Sequence, residues 1–319
     1  MNVALILIIS VISLIWAANH LITGALGLAT RFQLSPFIMG LTVVALGTSV
    51  PELIIFILSF LKNKNHLIIG NAIGSNIANI GLILGISILI KPTTPNYNTL
   101  KKTYPIIIIT MLFLYSLILD GYVGKIDGCL FLIACIALIV FFIYLSNHTH
   151  PKDQFFKEFK SAFHSNRSLK MHSLSMFLGL LVLPLSTKYL VHSTTELAKW
   201  AGMNELTIGL TIIALGATLP GLVTAITAIL KGEEDIAVGT ILGANIYSLL
   251  LILAFPTIIT PAKISTTVLW RDLPVMISLM VLLIFLNYQY KKKLSPWHGG
   301  ILLIIYCSYV ISLIIKAHT

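Results

Sequence analysis

The chain has 319 residues, of which 57% are hydrophobic and only 10% charged, with a net charge of +10. So few polar residues cannot cover the surface of a globule, which excludes an ordinary soluble domain and indicates an all-α polytopic membrane protein. The 9 His residues are scattered and form no HExxH pair, so we expect neither an enzyme nor a metal cofactor. The positive charge follows the loops, so we expect no nucleic-acid partner.

In chain order, ten apolar stretches of bilayer length predict ten transmembrane helices. They lie near residues 3–19, 37–61, 67–90, 103–119, 126–146, 173–199, 206–230, 236–256, 273–289 and 298–315. No Lys or Arg precedes the first stretch, so we expect it to be kept as a helix and not removed as a signal peptide.

The Lys and Arg residues predict the orientation of the chain. With ten spans, 13 of them fall in loops on one side of the membrane and 7 on the other, and Lys188 falls inside a helix. The positive-inside rule then places both termini outside and the basic loop 147–172 in the cytoplasm, where we expect it to lie on anionic membrane lipid.

The second stretch carries a proline and a carboxylate in mid-membrane, within "GLTVVALGTSVPELI" at 40–54. Pro51 has no N–H to donate and is predicted to leave the carbonyl of Gly47 unpaired. Thr48, Ser49 and Glu52 add hydroxyl and carboxylate oxygens on the same turn. Because hard cations prefer oxygen ligands, this pattern indicates a cation site.

The third stretch, "GNAIGSNIANIG" at 70–81, offers further polar side chains. Ser75 and Asn79 are four residues apart and so share a helix face, and Asn71 and Asn76 lie beside them. Polar groups of this kind also join helices in membranes, and that alternative stays open for each of them alone. It is weaker for Glu52, because a carboxylate inside a membrane is costly and usually functional.

The two halves of the chain are similar to each other. Residues 21–86 align without a gap on 190–255 at an offset of 169, with 18 identities over the 47 positions from Gly40 and Gly209 onward. Each half holds five predicted spans, so the second half enters from the opposite side. We therefore predict two inverted five-helix repeats, residues 1–146 and 173–319, joined by the loop 147–172, as in secondary transporters.

The motifs "GTSVPE" and "GNAIGSNIANI" resemble the paired repeats of the calcium/cation antiporter superfamily, specifically prokaryotic sodium/calcium exchangers of the YrbG type. The resemblance implies alternating access, a bacterial inner-membrane location, Ca²⁺ and Na⁺ as transported ions, no cofactor and no obligate protein partner. It also implies a central ligand set, which would comprise Glu52, Thr48, Ser49, Ser75, Asn79, the carbonyl of Ala45, Thr218, Asn245 and Ser248.

The second repeat departs from the family pattern. It has "GATLPG" at 216–221, so Gly221 occupies the position of a second Glu, and "GANIYS" at 243–248 has Ser248 where an acid or amide is expected. A Ca²⁺ ion facing one carboxylate keeps a net charge in a low-dielectric site. Three functions remain open: Ca²⁺/Na⁺ antiport, monovalent cation/proton exchange, and a degenerate, non-transporting membrane scaffold.

The roles of two further groups of charged residues are open. Lys188 and His192 either face the cavity or point away from it, with the second favoured. The acids of "EEDIAVG" at 233–239 are expected to stabilise a helix N-terminus in preference to guiding ions.

Overall fold

We analysed a computed structural model of the chain, which describes residues 3–32, 34–50, 52–53, 65–95, 97–148, 168–202, 214–289 and 293–318. Almost all of these residues are helical. Pro51 and most of the loop 147–172 lie outside the described residues, so the predictions for them stay predictions.

The first half contains five helical elements. Helix α1 is Val3–Phe32, and α2 is Pro36–Thr48 with a π-helical turn at Gly40–Val44. Helix α3 comprises Asn65–Ala78, a π-helical turn Asn79–Leu84 and Gly85–Ile90. Helix α4 is Tyr97–Ile118, strand β1 is Tyr122–Val123 and α5 is Lys125–His148.

The second half follows the same order. Helix α6 is Leu169–Trp200 and α7 is Ala214–Leu230. Helix α8 comprises Glu234–Tyr247, a π-helical turn Ser248–Ile252 and Leu253–Ile259. Strand β2 is Ala262–Lys263, α9 comprises a π-helical turn Val268–Asp272 and Leu273–Gln289, and α10 is Pro296–His318.

Local sequence explains several helix ends. Ser35 caps α2 by accepting a hydrogen bond from the Ile38 N–H at 3.2 Å, and Pro36 occupies the first helical position, where a missing N–H costs nothing. Gly202 and Gly232 follow the ends of α6 and α7 with φ of 81° at both, a conformation that a Cβ disfavours.

Eight helices among the described residues are long and apolar enough to cross a membrane. The chain is therefore a helical, multi-pass membrane protein. Helices α2 and α7 are shorter within the described residues, and both border undescribed segments, so the count of ten spans stays a prediction.

The predicted length of the first span was wrong. We expected it near 3–19, whereas α1 continues to Phe32 as 30 residues. The reason is that residues 20–32 contain no proline and remain largely apolar, so nothing stops the helix until the Ser35-Pro36 start of α2.

Helices α1 and α6 pack along each other over a long contact. Gly24 lies against Met176, and Gly179 lies against Leu21, so the two helices are antiparallel. The Ser175 hydroxyl donates to the carbonyl of His20 at 3.1 Å across this contact. Small residues allow the backbones to approach closely, as is usual between membrane helices.

The centre of the molecule is formed by α3 and α8. Nearly all of α8 is buried, and it contacts α2, α7 and the π-helical turn of α3. Few residues of α5 and α10 are buried, as expected for helices that face lipid. Four of the candidate ligands thus lie on the most buried helices, namely Ser75, Asn79, Asn245 and Ser248.

Candidate cation site

The described part of α2 and the residues after it bring one carboxylate and two hydroxyls into the interior. Thr48 and Ser49 are 3% exposed and Glu52 is 7% exposed. The Oε2 atom of Glu52 has no hydrogen-bond partner among the described residues. A buried acceptor of this kind is costly unless a cation or donor approaches it.

The backbone near Glu52 is more regular than the proline suggested. The Ser49 N–H donates to the Ala45 carbonyl at 3.1 Å, and the Leu53 N–H donates to the Ser49 carbonyl at 3.1 Å. The Thr48 hydroxyl also donates to the Ala45 carbonyl, at 3.1 Å. Ala45 would therefore enter a coordination shell only by releasing one of these two bonds.

Helix α3 supplies the second group of predicted ligands. Ser75 and Asn79 are both 5% exposed. The Ser75 hydroxyl donates to the carbonyl of Asn71 at 2.7 Å, which leaves its oxygen lone pairs available as acceptors. Asn79 begins the π-helical turn of α3, a local widening that is frequent at functional sites.

Two amide hydrogen bonds join α3 to α8. Asn79 Nδ2 donates to Asn245 Oδ1 at 2.8 Å, and Asn76 Nδ2 donates to Ser248 Oγ at 2.5 Å. In the alignment of the two halves at an offset of 169, Asn76 corresponds to Asn245 and Asn79 corresponds to Ser248. The two bonds therefore occupy corresponding positions, one for each half of the chain. The π-helical turns that begin at Asn79 and Ser248 correspond in the same way.

Asn76 is a further candidate residue for the site, and the predicted ligand set omitted it. It is fully buried, and its Oδ1 atom has no partner among the described residues. Asn245 is also fully buried, and its Nδ2 has no hydrogen-bond partner within the described part of the chain. The identity of Asn76 and Asn245 in the two aligned halves was the signal that could have placed Asn76 in the set.

Helix α7 carries the positions that correspond to Ser49 and Glu52 in the second half of the chain. It contacts the π-helical turn of α3 and also α2. Thr218 is buried, at 7% exposed. Gly221 faces α3: a Cβ built there would meet only the Cδ1 methyl of Ile83 among the described residues, at 3.0 Å. The position where the family pattern has a second Glu therefore still points toward the helix that carries Asn79.

Lys188 and His192 on α6 are both exposed, so neither side chain reaches the interior. Near the start of α8, the Glu234 carboxylate accepts hydrogen bonds from the Thr94 N–H and hydroxyl. Burial, together with the nearby Asp235 charge, raises the pKa of Glu233 to about 7, and Lys231 opposes this shift. Glu234 thus binds the loop at Thr94, and Glu233 makes no side-chain capping bond at the start of α8, so stabilisation of this helix end by the acids stays a prediction.

In chemical terms the site offers oxygen ligands and one carboxylate. In the part of the chain that the structure describes, no three or more His, Cys, Asp or Glu side chains are arranged so that they could hold a metal ion together. The hydroxyl, amide and carboxylate oxygens present suit hard cations such as Na⁺ and Ca²⁺, which would pass through the site as substrates.

Comparisons with known proteins agree with this chemistry. A family model described as sodium/calcium exchanger protein matches residues 2–145 and again residues 172–315. The chain is 35% identical over 301 residues to the inner membrane protein YrbG of Escherichia coli, covering 93% of this chain and 92% of YrbG. It is 34% identical over 304 residues to the putative antiporter CaxA of Alkalimonas amylolytica, covering 95% of both chains.

The fold is also similar to a solved one. A structure of the sodium-calcium exchanger NCX_Mj, soaked with 2.5 mM Na⁺ and 0.1 mM Ca²⁺, superimposes with a TM-score of 0.84 and 25% identity, and the match covers 98% of each chain.

Proposed function

The chain belongs to the sodium/calcium exchanger protein family, and from this premise we propose that it exchanges Ca²⁺ for Na⁺ across the bacterial inner membrane. Membership of an exchanger family makes it a membrane transporter of cations and not an enzyme, with no resident cofactor. The observation that supports the site most directly is the buried Glu52 carboxylate, whose Oε2 lacks a partner among the described residues.

In this proposal Glu52 is the main charged ligand and neutral oxygens complete the shell. The proposed ligands are Glu52, Thr48, Ser49, Ser75, Asn79, Thr218, Asn245 and Ser248, with the Ala45 carbonyl available only after it releases a hydrogen bond. Asn76 joins this group through its unpaired Oδ1. A cation beside Glu52 would satisfy its unpaired Oε2.

We propose that transport proceeds by alternating access between two inverted repeats, 1–146 and 173–319. The pair of bonds between α3 and α8 supports this, because the repeat offset exchanges them. When the two repeats are exchanged, each of these bonds takes the place of the other. We therefore infer that the pair lies on the pseudo-two-fold axis that relates the two repeats. A site on that axis can be opened to either side by equivalent movements of the two halves.

The charge of the site favours a second candidate. Gly221 and Ser248 leave Glu52 as the only carboxylate among the proposed ligands. One carboxylate neutralises Na⁺, K⁺ or H⁺ but leaves Ca²⁺ with a net charge in a low-dielectric site. Monovalent cation/proton exchange is therefore the alternative, and a non-transporting scaffold is the third possibility.

Glu52→Gln tests all three functions in everted membrane vesicles. We expect Na⁺-gradient-driven Ca²⁺ uptake to fall at least about tenfold, because the variant removes the charge that offsets ion desolvation. Glu196→Gln is the matched control, since Glu196 is on α6 and does not belong to the proposed ligand set, and it should retain uptake.

The other outcomes separate the alternatives. If wild-type vesicles show Na⁺- or K⁺-driven pH changes that Glu52→Gln abolishes, and no Ca²⁺ uptake, the chain is a monovalent cation/proton exchanger. Absence of both activities, with normal cellular function in Glu52→Gln cells, would favour the scaffold.

A further inference from the structure

A lysine at the end of α7 reaches across to the middle of α1. The Lys231 ammonium donates to the Thr23 hydroxyl at 2.5 Å and to the Asn19 carbonyl at 3.3 Å. The Thr23 hydroxyl donates to the same carbonyl at 2.7 Å, so polar groups of two helices form one cluster. Hydrogen bonds from a charged donor are roughly twice as strong as those between neutral groups.

The local sequence fixes the backbone from which this side chain extends. The Lys231 N–H donates to the Thr227 carbonyl at 3.2 Å, as in the last turn of a helix. Gly232 then ends the helix with a φ of 81°, and its N–H donates to the Ile229 carbonyl at 3.0 Å. The aligned position in the first half of the chain, Lys62, is also a lysine. Both repeats therefore carry this charge after their proline-containing segment.

The partners of Lys231 lie within a membrane span. Asn19 and Thr23 belong to the central part of α1, a 30-residue helix long and apolar enough to cross a membrane. Their neighbours Ala18, Leu21 and Ile22 are fully buried, whereas Asn19 is exposed and Thr23 half-buried. Polar and charged groups within a span are costly and are usually functional. The cluster is therefore a candidate for a role in transport.

Helix α1 packs along α6, and α6 covers the candidate cation site. A Cβ built on Gly47 would overlap the side chain of Leu180, and one built on Gly216 would overlap the side chain of Val191. Leu180 and Val191 both belong to α6, and the two glycines begin the aligned motifs "GTSVPE" and "GATLPG". The position of the α1–α6 pair relative to α7 therefore decides how closely these turns are covered.

We infer that Lys231 is a positioning residue for exchange. By binding Asn19 and Thr23 it holds the α1–α6 pair against the end of α7, and so stabilises the present conformation relative to one in which these helices separate at this end. The inference rests on the proposed function, because such a shift matters for exchange only if the site opens alternately to the two sides.

The predicted topology gives the direction of the effect. It places Lys231 on the cytoplasmic side, where the bond to α1 would keep the contact between α1 and α7 closed. The apparent affinity of a ligand falls when the conformation that binds it is rarely populated. The bond should therefore raise the apparent KM for ions that enter from the cytoplasm, and its loss should lower that KM.

Double electron–electron resonance tests the position of α1 without requiring transport. Spin labels on Arg31→Cys and Pro92→Cys, in purified full-length protein without its native cysteines, measure the distance from the end of α1 to the loop after α3. The Lys91 Nζ donates to the Ile229 carbonyl at 3.2 Å, which ties this loop to α7. Lys231→Met should add a second distance population of at least about a fifth. Lys231→Arg, which keeps the charge and the donors, should restore the single population.

Transport kinetics give the second measurement. In everted vesicles, Lys231→Met should lower the KM for Ca²⁺ at least about threefold with a smaller change in maximal rate, and Lys231→Arg should restore it. Lys199→Met is the matched control, because Lys199 is exposed at the other end of α6 and its loss changes the net charge equally. It should leave both the distances and the KM unchanged.

An unchanged distance distribution in Lys231→Met, or equal changes in Lys231→Met and Lys199→Met, would overturn the inference. An unchanged KM in Lys231→Met vesicles that take up Ca²⁺ would also overturn it. If wild-type vesicles take up no Ca²⁺, the proposed function fails, and the distance measurement still decides whether Lys231 holds α1 in place. Lys231 is exposed, so its replacement leaves the core intact.

Discussion

At the scale of single residues, the difference between Glu52 and Gly221 decides the charge of the proposed site. Both positions follow a proline in aligned segments, yet one carries a buried carboxylate and the other no side chain. Among the described residues, no backbone fills the space at Gly221, and a Cβ built there meets only the flexible end of Ile83. At this position the missing charge therefore follows from the residue type and not from described backbone that occupies its place.

Gly221→Glu should increase the affinity for Ca²⁺ at least about tenfold, equivalent to about 1.4 kcal/mol, because a second carboxylate offsets the remaining charge of the ion. The Ile83 methyl must move by a few tenths of an ångström, which a side-chain rotation supplies. Isothermal titration calorimetry of the purified protein with CaCl₂ measures the change.

Gly221→Gln controls for the size of the new side chain, and it should leave Ca²⁺ affinity near that of wild type. If Glu and Gln change the affinity equally, the effect is steric and position 221 does not face the ion.

At the scale of helices, α2 and α8 cross in close contact, and this crossing fixes the positions of the proposed ligands on the two helices relative to each other. Gly40 on α2 and Gly239 and Gly243 on α8 lie directly against the backbone of the other helix. A Cβ on Gly243 would overlap the Leu41 carbonyl and come within 2.7 Å of the Ala45 Cβ. Leu41 and Ala45 precede Thr48 and Glu52, so any widening of this crossing moves the site.

Gly243→Ala should therefore destabilise the protein by about 1–3 kcal/mol, the usual cost of overpacking, and should also reduce transport. Thermal unfolding in detergent, followed by tryptophan fluorescence, gives the change in stability.

Gly300→Ala on α10 is the matched control, because a Cβ there meets no described atom within 4 Å. It should be neutral or slightly stabilising, since Ala favours helix over Gly. A similar loss of stability in both variants would mean that the loss does not come from the α2–α8 crossing.

At the scale of the whole molecule, contacts between loops support the prediction that successive loops lie on alternate sides of the membrane. Strands β1 and β2 pair antiparallel, with Tyr122 opposite Lys263. At another set of loops, Thr93 pairs with Leu294, and Thr94 bonds to Glu234. The predicted topology places each of these two groups on a single side of the membrane, the first outside and the second in the cytoplasm.

Cysteine labelling tests this orientation in a background that lacks the three native cysteines. A membrane-impermeant maleimide added to spheroplasts should label Tyr122→Cys and not Pro92→Cys, both of which are exposed positions. In everted vesicles the pattern should reverse. Labelling of both positions from one side would contradict the alternation, and the opposite pattern would place the termini in the cytoplasm.

The sequence by itself determined the membrane class, most helix positions, the family, and the unequal charge of the two repeats. These follow from hydropathy, from the internal alignment, and from residue types such as Glu52 and Gly221, all of which are local properties of the chain. The length of each helix was less well determined, as α1 shows. A helix can continue past the stretch that hydropathy marks as a membrane span.

Only the tertiary structure decided which faces of the helices meet. It showed the bonds of Asn76 and Asn79 to α8, the occupied carbonyl of Ala45, the exposed position of Lys188 and the bonds of Lys231 to α1. The physical reason is that lipid is as apolar as the protein core, so apolar residues cover both the inner and the outer faces of these helices. Hydropathy therefore marks where a helix lies in the chain, and only packing selects the side chains that reach the centre.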